Sequence, residues 1–327
     1  MKKLFLSLVV VMMCATAMFA QSSLIATLSH EGNVQVFHGP TSYKQAMAAA
    51  QDGDIISLAG GIYEATNITK GITLRGSGVE KDTISNAYPT ELQGTFTINI
   101  PDSCSSPVIE GVYCSSEVTL VKMKNPVFMK SKFTSLNGSS SDSMIDNLTM
   151  LHCNVTTLMA LNSSSTANLI NSYIYNLSGT SLDVTNCYVR TNPYYINKSQ
   201  FRNCLIVSTY NPTLYYNSDF STSNMIYNCV GANEKGYSIF TNHSANNNVK
   251  LTFSDFKALF TSTGFNQLTD VAKANYKGDD GTEVGLYGGS LPYDQHIAKP
   301  QITKCNIAQK TTADGKLSVD IEVRGVE

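Results

Sequence analysis

The sequence predicts an all-β protein wound into a single β-solenoid, and three observations favour that fold. Only 15 % of the 327 residues are charged, against about 25 % in an average globular chain, so charged helix surfaces are scarce. The chain contains 28 asparagines and no tryptophan. Short strands rich in valine, isoleucine, leucine and tyrosine recur at a variable step of about 20 residues, which is typical of stacked coils.

The first 20 residues have the pattern of a cleavable export signal. Lys2 and Lys3 form a positive start, and residues 4–13 form an apolar run that is too short to cross a bilayer. We expect cleavage near Ala20, which would leave a secreted chain in the periplasm, on the outer-membrane surface or outside the cell. No later segment of the sequence has the length of a transmembrane helix.

Residues 21–51 are predicted to hold an N-terminal strand and a capping helix. Residues 42–50, SYKQAMAAA, have the composition of a short helix. A solenoid needs such a cap, because its first coil would otherwise expose an apolar end.

Asparagines mark the coils in the body of the chain. Asn171, Asn186, Asn203 and Asn228 follow one another at steps of 15, 17 and 25 residues, and each precedes a small residue and a short strand. Asparagine tolerates the left-handed backbone of a tight corner, and its amide can bond the asparagine of the next coil. We therefore expect a ladder of corner asparagines in a solenoid that runs to about residue 260.

Four cysteines share this strand context and are interpreted as small buried side chains with free thiols. Removal of the signal would remove Cys14 and leave seven cysteines, an odd number that argues against a complete disulfide framework. The four are Cys153, Cys187, Cys204 and Cys229.

Three motifs near the start of the chain carry a resemblance to a known fold. They are GDII at 53–56, GIY at 61–63 and ITLRG at 72–76. In this order, after a capping helix, they resemble the opening of pectate-lyase-like right-handed parallel β-helices. The resemblance implies a single right-handed parallel β-helix, but that superfamily contains lyases, hydrolases, adhesins and structural proteins, so it implies little about activity.

The end of the chain carries a second resemblance. Residues 280–294, DGTEVGLYGGSLPYD, are similar to a closing motif of exported β-helix proteins from Gram-negative gut bacteria. We therefore expect the β-helix and its closing segment to occupy residues 52–299. Residues 300–327 alternate apolar and polar side chains around an ADG turn, which predicts a C-terminal β-hairpin appendage. This hairpin is either a cap on the last coil or a docking or sorting tail.

The sequence does not favour catalysis. A glycosidase needs two carboxyl groups at a defined separation, and a calcium-dependent lyase needs several oxygen ligands. Asp142 and Asp146 are the closest acids in the coil body, and Asp279 and Asp280 lie in a turn of the closing segment. His152 is interpreted as a surface histidine, since it faces away from its neighbour Cys153. We expect no metal and no cofactor, while a lyase or hydrolase of acidic polysaccharide stays as the alternative, because its residues could come from separate coils.

An aromatic shelf is the first candidate binding feature. Strand alternation predicts that Tyr173, Tyr175, Tyr188 and Arg190 point outward. Residues aligned in adjacent coils lie about 4.8 Å apart, so these side chains could form a flat surface for a sugar face or a partner protein. The other interpretation is that the tyrosines simply cover a polar flank of the solenoid.

Two lysine pairs are the second candidate. Lys122 and Lys124 are predicted to share one strand face, and Lys130 and Lys132 another. The four could contact an acidic glycan, or they could keep the solenoid soluble and protect an edge.

The sequence therefore predicts an exported, non-catalytic protein of the cell envelope that binds a glycan or a surface partner. The expected partner is a polysaccharide or a surface protein. Nucleic acid is not expected, because the formal net charge is −2 and provides no basic field. A passive structural surface protein is the second alternative to the binding function.

Overall fold

The structure is a computed structural model that describes most of the chain beyond the expected export signal. Residues 1–23 lie outside the described residues, so the signal and its cleavage near Ala20 stay predictions. The described residues are 24–81, 88–209, 224–237, 239–240, 246–297 and, for their backbone, 301–307 and 319–324.

The described residues form strands for the most part, with three short helices. The strands are β1 (Ile25–His30), β2 (Asn33–His38), β3 (Ile55–Leu58), β4 (Gly61–Glu64), β5 (Thr73–Arg75), β6 (Thr90–Gln93), β7 (Phe96–Asn99), β8 (Val108–Glu110), β9 (Val112–Lys124), β10 (Val127–Met129), β11 (Lys132–Gly138), β12 (Met144–Asp146), β13 (Leu148–Leu151), β14 (Asn154–Leu161), β15 (Ala167–Ile170), β16 (Tyr173–Thr180), β17 (Leu182–Thr185), β18 (Tyr188–Asn197), β19 (Gln200–Arg202), β20 (Leu205–Ser208), β21 (Met225–Tyr227), β22 (Val230–Asn233), β23 (Val249–Lys250), β24 (Gln301–Ile307) and β25 (Val319–Arg324). The helices are α1 (Ser42–Ala49), α2 (Phe253–Lys257) and α3 (Asp270–Asn275).

Two long sheets form the solenoid. Sheet A has the strand order β2-β1-β3-β5-β8-β10-β13-β15-β17-β19-β21. Sheet B has the order β23-β22-β20-β18-β16-β14-β11-β9-β6-β4, with β7 and β12 pairing to β9. Apart from the antiparallel pairs of β1 with β2 and β3, the pairs within both sheets are parallel, and the chain makes about nine turns. The predicted parallel β-solenoid is confirmed.

The interior is a continuous apolar stack, because alternate side chains of every coil strand point inward. Phe128 and Phe133 are fully buried, and their ring centroids lie 5.4 Å apart. The four coil cysteines are also fully buried and free, as predicted. Burial raises the pKa of the Cys153 thiol to about 12, so this thiol is a packing group without thiolate chemistry.

The N-terminal end is capped as predicted. Helix α1 buries Tyr43, Ala46 and Met47 against the first coils, and the Tyr43 ring meets the Tyr63 ring edge-on at 6.4 Å. Strands β1 and β2 form a hairpin that extends sheet A beyond β3. Together the hairpin and the helix keep the first coil from exposing its interior.

Lys70 closes the C-terminal end of α1. Its Nζ donates to the backbone oxygens of Met47 at 3.1 Å, of Ala48 at 3.4 Å and of Ala50, where carbonyls at a helix end otherwise lack partners.

We expect Lys70→Met to lower the free energy of unfolding by about 1 kcal/mol, measured by denaturant titration. Lys44→Met is the matched control on the exposed face of α1 and should be neutral. Equal effects of the two substitutions would contradict the capping role.

The C-terminal end departs from the predicted boundary. The last solenoid strand ends at Lys250, not near residue 260, because α2 and α3 follow and cover the last coils. We call residues 251–275 the lobe and residues 276–297 the strap.

Strands β24 and β25 pair antiparallel, which confirms the predicted hairpin, while its use as a cap or a tail stays open. The structure contains no helix, among its described residues, with the length and apolarity to span a membrane.

Candidate functional site

A row of side chains points outward from the same position of successive strands of sheet B, and we call it the outer row. Strand register aligns its members, so neighbours lie about 4.8 Å apart along the solenoid. The row begins with a carboxylate, passes through tyrosine, lysine and asparagine, and ends in aliphatic side chains. In order, its members are Glu91, Tyr113, Lys132, Asn154, Tyr173, Tyr188, Leu205, Val230 and Val249.

The aliphatic end of the outer row is covered by the chain itself. Leu205 and Val230 are buried under the lobe in a second core, separate from the solenoid interior. Burying these apolar side chains is favourable, and it removes this part of sheet B from any binding surface. The lobe and strap contribute Phe256, Leu259, Leu268, Ala272 and Val284 to this core.

The structure brings Tyr173 and Tyr188 together as the aromatic shelf predicts. Their rings stack with centroids 5.0 Å apart and planes 17° apart. The lobe packs against this pair, because Phe265 lies 5.2 Å from Tyr173, while Phe256 and Phe260 lie 6.2 and 5.9 Å from Tyr188. Burial raises the pKa of both phenols. The Tyr188 side of the shelf is therefore occupied by this chain's own aromatic residues.

Tyr175 and Arg190 are aligned on β16 and β18, and their interactions are internal. The guanidinium lies over the Tyr175 ring, 4.4 Å from its centroid. It donates two hydrogen bonds to the Glu234 carboxylate, at 2.7 and 3.0 Å, and one to Asn176 Oδ1 at 2.7 Å. Because Glu234 compensates its charge in bidentate geometry, Arg190 ties the coils together and has little capacity left to recruit an anion.

The predicted lysines do not form one patch. Lys122 and Lys124 point to the same side of β9, since Met123 between them is buried. Lys122 forms an ion pair with Asp102, with 2.6 Å between Nζ and Oδ2, while Lys124 is exposed at the end of the strand.

The prediction that Lys130 and Lys132 share a strand face is wrong. Lys130 is a corner residue with φ 48°, between β10 and β11. Its Nζ lies 3.1 Å from Asp294 Oδ2 and donates to the His296 backbone oxygen at 2.6 Å, so it binds the strap. Lys132 begins β11, and its Nζ lies 4.9 Å from the centroid of the Tyr113 ring. No carboxylate in the described part of the chain forms an ion pair with Lys132.

Between Glu91 and the covered Tyr188, the outer row consists of Tyr113, Lys132, Asn154 and Tyr173, with Phe265 at its edge, and we call this part the ledge. Phe265 is 44 % exposed. Asn154 is only 7 % exposed, and its Oδ1 has no hydrogen-bond partner among the described groups. An unpaired buried acceptor costs about 1–3 kcal/mol. The ledge thus combines aromatic faces, an uncompensated ammonium and an unsatisfied amide.

Sequence reasoning missed Tyr113, Asn154 and Phe265. Tyr113 and Asn154 come next to Lys132 only through the register of β9, β11 and β14. Phe265 reaches the ledge through the fold of the lobe. Strand alternation could have indicated Tyr113, because this residue lies next to the buried Cys114 and hence on the outer face of the strand.

The corner asparagines have the predicted backbone. Asn171, Asn186, Asn203 and Asn228 have φ values of 42°, 52°, 54° and 50°. This left-handed conformation is tolerated by asparagine better than by most other side chains, which explains why asparagine recurs there.

The predicted ladder between these four asparagines is wrong, because two of them bind the strap. Asn171 Nδ2 donates to the backbone oxygens of Leu286 and Gly288, both at 2.8 Å. Asn203 Nδ2 donates to Asp279 Oδ1 at 2.8 Å. The side chains of Asn171 and Asn203 therefore point outward to acceptors on the strap.

An asparagine ladder does form, at a different corner of the solenoid. Asn147 Nδ2 donates to Asn125 Oδ1 at 2.9 Å, and Asn168 Nδ2 donates to Asn147 Oδ1 at 2.8 Å. No strap runs along this corner in the described residues, so the amides bond one another across coils.

The interpretation of His152 as a surface histidine is also wrong. His152 is 6 % exposed and occupies the strap-bound corner, with φ 55°. Its Nε2 lies 3.0 Å from the Leu291 backbone oxygen, and its ring lies 6.3 Å from the Tyr293 ring. The strap residues that cover it come 139 positions later in the chain, so local sequence could not reveal its burial.

The acids singled out by sequence do not converge with the lysines. Asp142 and Asp146 are exposed, and neither forms an ion pair with Lys130 or Lys132. Within the described residues no three histidine, cysteine, aspartate or glutamate side chains form a group suited to hold a metal ion.

The fold and site define a parallel β-solenoid with an outward-facing ledge and a strapped corner. Comparison with known proteins yielded no matching family model, no matching curated protein and no matching solved structure.

Proposed function

We propose that this chain is an exported, non-catalytic protein of the cell envelope that binds a glycan through the ledge. The observation that carries the proposal is the alignment of Tyr113, Lys132, Asn154 and Tyr173 on adjacent strands. Export is supported by the sequence of the first 20 residues, and a surface protein is the alternative partner.

The chemistry of the ledge suits a sugar chain. The apolar face of a pyranose packs on an aromatic ring, and Tyr113 and Tyr173 lie three coils apart in the outer row. The side-chain Oδ1 of Asn154 is buried, so the contacts to a sugar come from the two rings and the ammonium. Lys132 adds a positive charge without a carboxylate partner, which favours an acidic glycan and makes its affinity fall with ionic strength.

A glycan array with a panel of neutral and acidic polysaccharides tests the proposal. For any glycan that binds, we expect Tyr113→Ala to raise Kd about twofold to tenfold, since an aromatic contact is worth about 0.5–1.5 kcal/mol. Lys132→Met should weaken acidic glycans by a few-fold and neutral ones little. Isothermal titration at two salt concentrations measures both effects.

Lys124→Met is the matched control, because Lys124 is exposed on the same sheet away from the ledge. Unchanged affinity in both ledge variants, or an equal loss in the control, would contradict the ledge as the binding surface. Depolymerisation of a uronate polymer that is lost in Asp146→Ala would instead favour the lyase alternative.

A further inference from the structure

The strap runs along one corner of the solenoid and meets one residue of nearly every coil. It approaches the corner positions in reverse chain order, from Asn203 back to Gly111. Its contacts are Asn203 with Asp279, Asn171 with Leu286 and Gly288, His152 with Leu291, Lys130 with Asp294 and His296, and Gly111 with Ile297.

This interface is polar, and several of its buried polar atoms lack hydrogen-bond partners. His152 Nδ1, Asn186 Oδ1, Glu283 Oε2 and Tyr293 Oη are buried at or near it without a hydrogen-bond partner among the described groups. Each such group costs free energy that opening to solvent would recover. Segments held in this way open locally at lower free energy than a packed core.

His152 lies in the middle of the interface and is surrounded by ionisable groups. Lys130 faces it from the preceding corner, and Asp294, His296 and Tyr293 face the same region from the strap. The buried Cys153 follows it on its own coil. Of its two ring nitrogens, only Nε2 has a partner, the Leu291 backbone oxygen.

We propose that the strap covers this corner at neutral pH and opens in acid, and that protonation of His152 triggers the opening. A second proton would place a positive charge in a buried site beside Lys130, which the Leu291 backbone oxygen and Asp294 compensate only in part. Opening of the strap would hydrate the imidazolium. It would also free the Tyr293 ring, which stacks on Phe265 at 5.7 Å, and so loosen the edge of the ledge.

The direction of the pH effect follows from linkage. Burial lowers the pKa of His152 in the closed state and Lys130 adds to this shift, while the Leu291 backbone oxygen and Asp294 oppose it without reversing its direction. Opening returns the pKa toward its usual value of about 6.5. The closed state therefore has its full stability above pH 6.5 and loses it as the pH falls below that value. Asp294, whose pKa is lowered to about 2, loses its stabilising charge only below about pH 4, so the two effects occupy separate ranges.

Amide hydrogen exchange of residues 286–297 at pH 7.5 and 5.0, corrected for intrinsic exchange rates, tests the proposal. One linked proton allows the opening constant to rise by up to about tenfold per pH unit. We expect a rise of at least about fivefold at pH 5.0 in the strap, with little change in the peptides of the solenoid interior.

His152→Asn is the diagnostic variant. Asparagine adopts the same corner conformation in other coils and donates to strap carbonyls at Asn171, so the variant should fold and close. Its strap should show less than about a twofold change between the two pH values. His38→Gln is the control, because this histidine is exposed on β2 and makes none of the strap contacts, and it should keep the wild-type response. A pH-independent wild-type strap, or an undiminished response in His152→Asn, would overturn the proposal.

Discussion

Replacing Phe133 by alanine is expected to lower the free energy of unfolding by about 3–5 kcal/mol. Phe133 is fully buried in the solenoid interior and packs against Phe128. Removing the ring loses its transfer free energy and leaves a cavity between coils that the hydrogen-bonded backbone of both sheets prevents from collapsing. Denaturant unfolding followed by circular dichroism measures the loss.

Val36→Ala on the exposed face of β2 is the matched control, since this side chain is 51 % exposed. It should change the free energy of unfolding by less than about 0.5 kcal/mol. A loss below about 1 kcal/mol in Phe133→Ala would mean that the interior repacks around the site.

Replacing Asn203 by valine is expected to cost about 2–4 kcal/mol, the second largest effect. Two causes add: a branched side chain is strained at φ 54°, and the strap loses its anchor. In the wild type Asn203 Nδ2 donates to Asp279 Oδ1 at 2.8 Å, and the Asp279 backbone N–H donates to Asn203 Oδ1 at 3.2 Å. Thermal and denaturant unfolding measure the total cost.

Asn203→Gly separates the two causes, because glycine adopts this backbone freely but offers no amide. We expect it to cost about 1–2 kcal/mol, clearly less than the valine variant. If the two variants were equally destabilised, backbone strain at the corner would have no part in the preference for asparagine.

The coil architecture could be predicted because its signals are local. The strand at 55–58, the helix that begins at Ser42 and the left-handed asparagines follow from residue type, alternation and turn chemistry within a few positions. The burial of Cys153 and Cys187 follows from the same alternation. These features depend on each residue's immediate neighbours, which the sequence displays directly.

The contacts of the strap-bound corner could not be predicted from local sequence. Lys130 and His152 resemble ordinary surface residues in their own segments, yet both bind the strap. Their partners lie 164 and 139 positions away. The sequence of residues 280–294 resembles a closing motif, but nothing in it shows which corner of the solenoid the segment follows.

The all-β class, the parallel solenoid, the capping helix, the buried cysteines and the conformation of the corners follow from the sequence alone. These features depend on periodicity and on the steric preferences of single residues. Other features depend on the tertiary fold: Tyr188 is covered, Arg190 is paired with Glu234, and Lys132 lies beside Tyr113 and Asn154. The reason is that strand register and long-range contacts determine these features. Variable loops set how far each coil shifts against the next. The strap and the lobe fold back over coils that come much earlier in the chain.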